Sequence, residues 1–188
     1  RVLIGGLGMG YTLRSALNEL GAKSQVVVAE LVQSVVRWNR EFLADLADSP
    51  LDDSRVTVHE VDVALMIKAS KGDYSAILLD VDNGPQSLTL KDNDWLYSLK
   101  GLKTAFAALR PGGILAIWSS GPDSAFTQRV QQIIDQNGLQ RLAGFSLCFL
   151  ACPSMLLELR SHFHACMAQQ ATAKTRCWNT NRDHNSCG

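Results

Sequence analysis

At 188 residues, 46% hydrophobic and 19% charged, the chain has the composition of one ordinary folded domain with material for a real core. Eighteen basic and eighteen acidic residues leave no formal net charge, so there is no basic field to grip a nucleic-acid backbone or an anionic membrane surface. The longest apolar run, residues 145–157, is broken by Pro153 and falls short of a bilayer span.

No signal peptide is visible, and a start inside a strand without methionine reads as a fragment lacking its true N-terminus. The five cysteines, Cys148, Cys152, Cys166, Cys177 and Cys187, all fall in the last quarter. An odd number without regular spacing argues against a disulfide framework and fits the reducing cytoplasm.

In chain order, residues 2–4 read as a short buried strand, followed by Gly5, Gly6, Gly8 and Gly10 and then by helical spacing over residues 11–20. A strand that turns through glycines into a helix aims bare backbone N–H groups at one spot, which suits an electron-rich ligand close to the main chain. Residues 25–30 (QVVVAE) predict a strand buried on both faces. Residues 31–46 predict a helix with Leu31, Val35, Trp38, Phe42 and Leu46 near one face. A loop over 49–54, a strand over 55–61 and a short helix over 63–69 follow.

Residues 74–80 (YSAILLD) predict a fourth strand, 81–94 a polar loop, and 97–109 a helix stopped by Pro111-Gly112-Gly113. A fifth strand over 114–119 and a helix over 123–137 complete the rhythm. Strict alternation of strand and helix implies an α/β fold, a Rossmann-like doubly wound, mostly parallel sheet with helices on both faces. Residues 145–150 and 155–159 read as two closing strands, atypical or incomplete. Residues 162–188 carry neither period, so the expected division is a domain over 1–160 and a poorly ordered tail over 161–188. His162, His164, His184 and the cysteines show no close-spaced ligand motif, and no metal is expected.

In an open parallel sheet, ligands bind beyond the carboxyl ends of the strands, where the strand order reverses. The residues there are the glycine turn, Glu30, Asp62, Asp80 and Ser119-Ser120. Glu30 follows the glycines by about twenty residues, the spacing at which an acid reaches both hydroxyls of a ribose. Asp62 suits an exocyclic amine such as that of adenine, and equally a helix N-cap before Val63. A dinucleotide fingerprint would need glycine where Tyr11 stands. The register Gly6-x-Gly8-x-Gly10 instead resembles the glycine turn of class I S-adenosylmethionine-dependent transferases.

Taken together, VLIGGLGMGYTLR, VVVAELV, VTVHEVDV, YSAILLDVDNGP and LYSLKGLKTAFAALRPGGILAIW resemble the spermidine synthase-like family of polyamine aminopropyltransferases, from residue 2 to about 121. The resemblance implies the class I methyltransferase fold, with S-adenosylmethionine or its decarboxylated form as co-substrate and a small amine as acceptor. It implies that Gly5, Gly6, Gly8 and Gly10 cradle the nucleoside, Glu30 holds the ribose, Asp62 the adenine, and Asp80 binds or deprotonates the attacking amine. Polyamine biosynthesis in the cytoplasm and pairing of two copies follow from the same likeness.

The residues agree with a cationic substrate. Residues 73–94 hold five aspartates against one lysine. Asp80 and Asp82, two apart, point to the same side of an extended backbone, an arrangement that suits attracting an ammonium and removing its proton. Asp80 and Asp82 are therefore the expected catalytic pair, with Asn83 and Tyr97 beside the acceptor. Three departures stand against the resemblance: Gly8 replaces the family's glycine-turn aspartate, Asn83 replaces its second loop aspartate, and the small β domain that precedes the turn in the family is expected to lie outside this fragment. A methyl transfer to an undetermined small acceptor, or a non-catalytic nucleoside-binding module, are the competing expectations.

Overall fold

The structure, a computed structural model, describes residues 1–81, 94–118, 123–136 and 147–150, all within the compact unit Arg1–Pro153. Expectations for the tail, for a strand over 155–159, for Asp82 and Asn83, and for Ser119-Ser120 lie outside the described residues. Six strands, β1 (Val2–Gly5), β2 (Val26–Ala29), β3 (Val56–His59), β4 (Tyr74–Leu79), β5 (Leu109–Trp118) and β6 (Leu147–Leu150), form one sheet in the order β3-β2-β1-β4-β5-β6. Every neighbouring pair is parallel. The order reverses between β1 and β4, so the chain leaves β1 for one half of the sheet and returns beside it for the other.

The four residues of β1 and of β2 are all buried, as runs of Val, Leu and Ile covered on both faces require. On one face Leu3, Val27, Ile77 and Leu79 pack in a single cluster with α3 (Val63–Ala69), α5 (Leu99–Ala108) and α6 (Ser124–Gln136). The alternate strand residues Val2, Ile4, Val26 and Val28 turn to the other face, where α1 (Tyr11–Glu19) buries Leu13 and Leu17 and α2 (Gln33–Glu41) buries Val36. Edge strand β3 keeps only half-buried residues alternating with exposed ones.

Several boundaries differ from the expectation. The helix expected over 31–46 stops at Glu41 and gives way to two 3-10 turns, Ala44–Ala47 and Pro50–Asp52. Its apolar stripe faces outward: Leu31, Trp38, Phe42 and Leu46 are exposed, Phe42 by 75%, while Val36 and Asn39 are the buried residues. The hydrogen bond from Asn39 to the Gly8 carbonyl fixes this rotation, because it must face the glycine turn. The helix expected over 97–109 is two helices, α4 (Asp94–Tyr97) and α5, parted by Ser98, whose hydroxyl caps α5 through the Gly101 N–H at 3.0 Å. Arg110–Gly113 bulges out of β5 instead of preceding it, since Leu109 pairs with Tyr74 and Ile114 with Ala76.

Arg55, at the edge of the sheet, is oriented by an ion pair and bonded to the end of α1. Arg55 bonds Asp53 through both carboxylate oxygens, at 2.9 and 2.7 Å, and donates to the Leu20 carbonyl at 2.6 Å. The guanidinium holds the Asp53 carboxyl down to about 2, and the carboxylate holds Arg55 above its ordinary value. Folding lowers the Asp53 value, so the pair's contribution is complete above about pH 4 and is lost as pH falls toward about 2. Asp53→Asn is expected to flatten that part of the stability loss in thermal melts taken across this range. An unchanged acid slope would show that the pair contributes nothing.

Candidate functional site

The glycine turn leaves β1 at the point where the strand order reverses, and two glycines set its path. Gly6 has φ 87°, and a Cβ there would fall on the carbonyl of Asp80, the residue after β4. Gly10 has φ 82° at the start of α1, and a Cβ there would meet Asn39 Oδ1 and Pro50 Cγ at 3.0 Å each. Only glycine lets the chain cross the end of β4 and enter the helix this closely. The 3-10 turns back the glycine turn through Ala47 and Pro50, and Arg14 of α1 ties them in by donating to the Ala47 carbonyl at 2.8 Å and pairing with Asp48.

Three polar side chains surround the turn, and two of them, Glu30 and Asn39, bond its backbone. Glu30, 8% exposed, accepts the Leu7 N–H on Oε2 and the Val32 N–H on Oε1, both at 2.8 Å. Its carboxylate is thereby fixed against the turn, and each oxygen keeps lone-pair capacity for a further donor. Asp80 is half-buried, and Thr12 Oγ1 donates to its Oδ2 at 2.5 Å. Asn39 Nδ2 donates to the Gly8 carbonyl at 2.8 Å. Among the described residues, no backbone carbonyl accepts from the N–H groups of Gly8 and Met9, and α1 opens with no acidic residue in its first turn.

Asp62 caps α3, accepting the Ala64 N–H on Oδ1 at 2.8 Å. Its helix begins beside the turn, because Val63 packs where a Cβ on Gly5 would lie, at 2.8 Å. Of the expected site residues, Gly5, Gly6, Gly8, Gly10, Glu30, Asp62 and Asp80 therefore come to one end of the sheet. Tyr97 is buried at 3% exposure, edge-on to Phe126 with ring centroids 5.8 Å apart, and its hydroxyl donates to the carbonyl of Val81, which follows Asp80.

Thr12 and Asn39 were not legible as site residues from sequence. A threonine in the first turn of a helix carries no signal of a partner 68 positions away. Asn39 lies three positions after Val36, on the same buried face, and that spacing was the available clue.

Comparisons with known proteins agree with this architecture. The model of the spermine/spermidine synthase domain matches residues 1–174, further along the chain than the resemblance read from its motifs. The polyamine aminopropyltransferase of Prochlorococcus marinus strain AS9601 is 28% identical over 124 residues, 65% of this chain and 42% of its own length. Polyamine aminopropyltransferase 1 of Streptomyces coelicolor is 31% identical over 123 residues, 64% of this chain and 22% of its own. The spermidine synthase of Thermotoga maritima superposes with a TM-score of 0.57 at 20% identity, over 72% of this chain and 44% of that one. A spermidine synthase in complex with the transition-state analogue AdoDATO superposes at 0.55, also at 20% identity, over 72% and 43%. At that identity the superpositions speak for the fold alone. The chain spans less than half the length of these relatives.

Glu30 makes two hydrogen bonds that an amide cannot repeat, since one of its ends would present N–H to N–H. Glu30→Gln should cost about 1–3 kcal/mol of stability, read as a lowered midpoint in urea unfolding. Glu60→Gln, at an exposed position, should leave the midpoint in place; equal losses in both would refute a structural role for the Glu30 carboxylate.

Proposed function

Because the chain belongs to the spermine/spermidine synthase domain family, we propose that it binds the nucleoside of a sulfonium donor, S-adenosylmethionine or its decarboxylated form, and transfers an alkyl group from sulfur to a small amine. Aminopropyl is the group favoured by the curated relatives, which are polyamine aminopropyltransferases, and by a structural neighbour that carries a transition-state analogue. The observation that carries the reading is the placement of Asp80: a carboxylate, anchored by Thr12, beside a glycine turn with bare N–H groups at the crossing of β1 and β4.

In this reading Glu30 accepts from the ribose hydroxyls with the lone pairs that Leu7 and Val32 leave open, and Asp62 accepts from the adenine amine with the oxygen its cap does not use. An alkylamine is mostly protonated near neutral pH, so its nitrogen lone pair must be released before it can attack. Asp80 attracts the ammonium and takes its proton. The nitrogen then forms a bond to the carbon on sulfur as the carbon–sulfur bond breaks, and the sulfonium leaves as a neutral thioether. Thr12 holds Oδ2, which leaves Oδ1 to face the amine. Roles for Asp82 and Asn83 toward the acceptor belong to the same proposal, and Tyr97 holds the carbonyl of Val81, which follows Asp80.

A second reading, methyl transfer from intact S-adenosylmethionine, has one observation in its favour: neither the glycine turn nor the first turn of α1 carries an acid to meet a cationic aminopropyl tail. A cytoplasmic setting and pairing of two copies belong to the proposal. No described helix is long and apolar enough to cross a membrane.

Calorimetry with 5′-methylthioadenosine, S-adenosylmethionine and its decarboxylated form, followed by turnover with small diamines, tests the proposal. Tighter binding of the decarboxylated donor with an aminopropylated product supports it, and a methylated product selects the second reading. Asp80→Asn should lower turnover by about 10²–10⁴-fold and leave nucleoside affinity within about threefold. Binding without turnover on any amine would make the chain a nucleoside-binding module, and no binding at all would overturn the reading.

A further inference from the structure

Asn39 is the most deeply buried polar side chain among the described residues, at 1% exposure, and half of its amide has no partner. Nδ2 donates to the Gly8 carbonyl at 2.8 Å and to the Val35 carbonyl one helical turn back at 2.9 Å. Oδ1 is buried without a hydrogen bond, 3.0 Å from the point where a Cβ on Gly10 would lie. The two neighbouring carbonyls decide which way the amide faces, because turning it over would set oxygen against two oxygens. A buried acceptor without a donor lowers stability, and a leucine of similar size at this position would avoid that cost. What leucine lacks is the donor to Gly8.

We infer that Asn39 is the positioning residue of the glycine turn, and that it sets the direction of the Met9 N–H offered to the ligand. The carbonyl of Gly8 and the N–H of Met9 belong to one planar trans peptide and point in opposite directions. Drawing the carbonyl onto α2 therefore drives the N–H of Met9, an exposed residue, away from α2. No backbone carbonyl among the described residues accepts that N–H. A cut bond to Asn39 would free the Gly8–Met9 peptide to rotate, since glycine at φ 52° with open space beside it offers no steric resistance. The group that such an outward N–H recognises is an electron-rich oxygen or nitrogen of the ligand. This inference rests on the nucleoside reading of the turn.

Asn39→Ala removes the donor and the orphaned oxygen together in a good helix former, and Asn39→Asp keeps the shape while replacing the donor. Val36→Ala, on the same buried face of α2, supplies an equivalent loss of packing without touching the turn. In calorimetry with 5′-methylthioadenosine, both Asn39 variants should bind about tenfold more weakly, whereas Val36→Ala should lower the melting temperature and leave affinity unchanged. If Asn39→Asp does not fold, Asn39→Ala decides. Unchanged affinity in Asn39→Ala, or an equal affinity loss in Val36→Ala, would overturn the inference. Hydrogen exchange of the Gly10 N–H, which bonds the Leu7 carbonyl at 2.9 Å, gives a readout that needs no ligand. Should the native chain bind no nucleoside, the functional reading falls. Faster Gly10 exchange in Asn39→Ala alone would then still uphold the positioning role, and unchanged exchange would refute it.

Discussion

The constraint on which the glycine turn depends is a contact of backbone with backbone. The carbonyl of Asp80 occupies the space that any side chain on Gly6 would take. β1 and β4 are neighbours in the sheet, and the Asp80 N–H continues their ladder onto the Gly5 carbonyl at 2.8 Å. The chain must therefore leave β1 by passing over the end of β4, with a left-handed residue at the crossing and no Cβ. This one crossing places the start of α1 above Asp80, close enough for Thr12 to reach its carboxylate.

Around that crossing three side-chain bonds converge, two on the turn itself and one across its exit to Asp80. Glu30 from the end of β2 takes the Leu7 N–H, Asn39 from α2 takes the Gly8 carbonyl, and Thr12 from α1 itself grips Asp80. Glu30 and Asn39, joined to backbone groups of the turn, stiffen a loop that glycines would otherwise leave loose. The arrangement explains the most conspicuous departure of the fold from its apolar pattern. α2 turns a polar Asn39 inward and leaves Trp38 and Phe42 in solvent, because the turn needs a donor more than the core needs two aromatics.

The same bonds separate what local pattern reveals from what it hides. The glycine turn was legible because glycines at alternate positions between a strand and a helix have few other uses. Glu30 and Asp80 were legible because carboxylates at the ends of Val- and Leu-rich strands have no place in the core. Asp62 showed both of its faces in the sequence, a strand-end acid and an N-cap, and the cap is formed. The rotation of α2 was not legible. A helical stripe of Leu31, Val35, Trp38, Phe42 and Leu46 signals burial only if the helix continues to 46 and nothing else dictates its angle. The early stop at Glu41 and the bonds of Asn39 break both conditions.

By itself, the sequence determined the strand and helix rhythm, the parallel sheet and the end of it at which carboxylates and glycines gather. Periodicity and glycine placement are properties of neighbouring residues, and short-range sterics enforce them. Only the tertiary structure decided that Thr12 meets Asp80, that Asn39 meets Gly8, and that the Arg110–Gly113 segment is a bulge within β5. Those pairings join residues far apart in the chain, and their partners are set by the order of strands in the sheet, which no local pattern encodes.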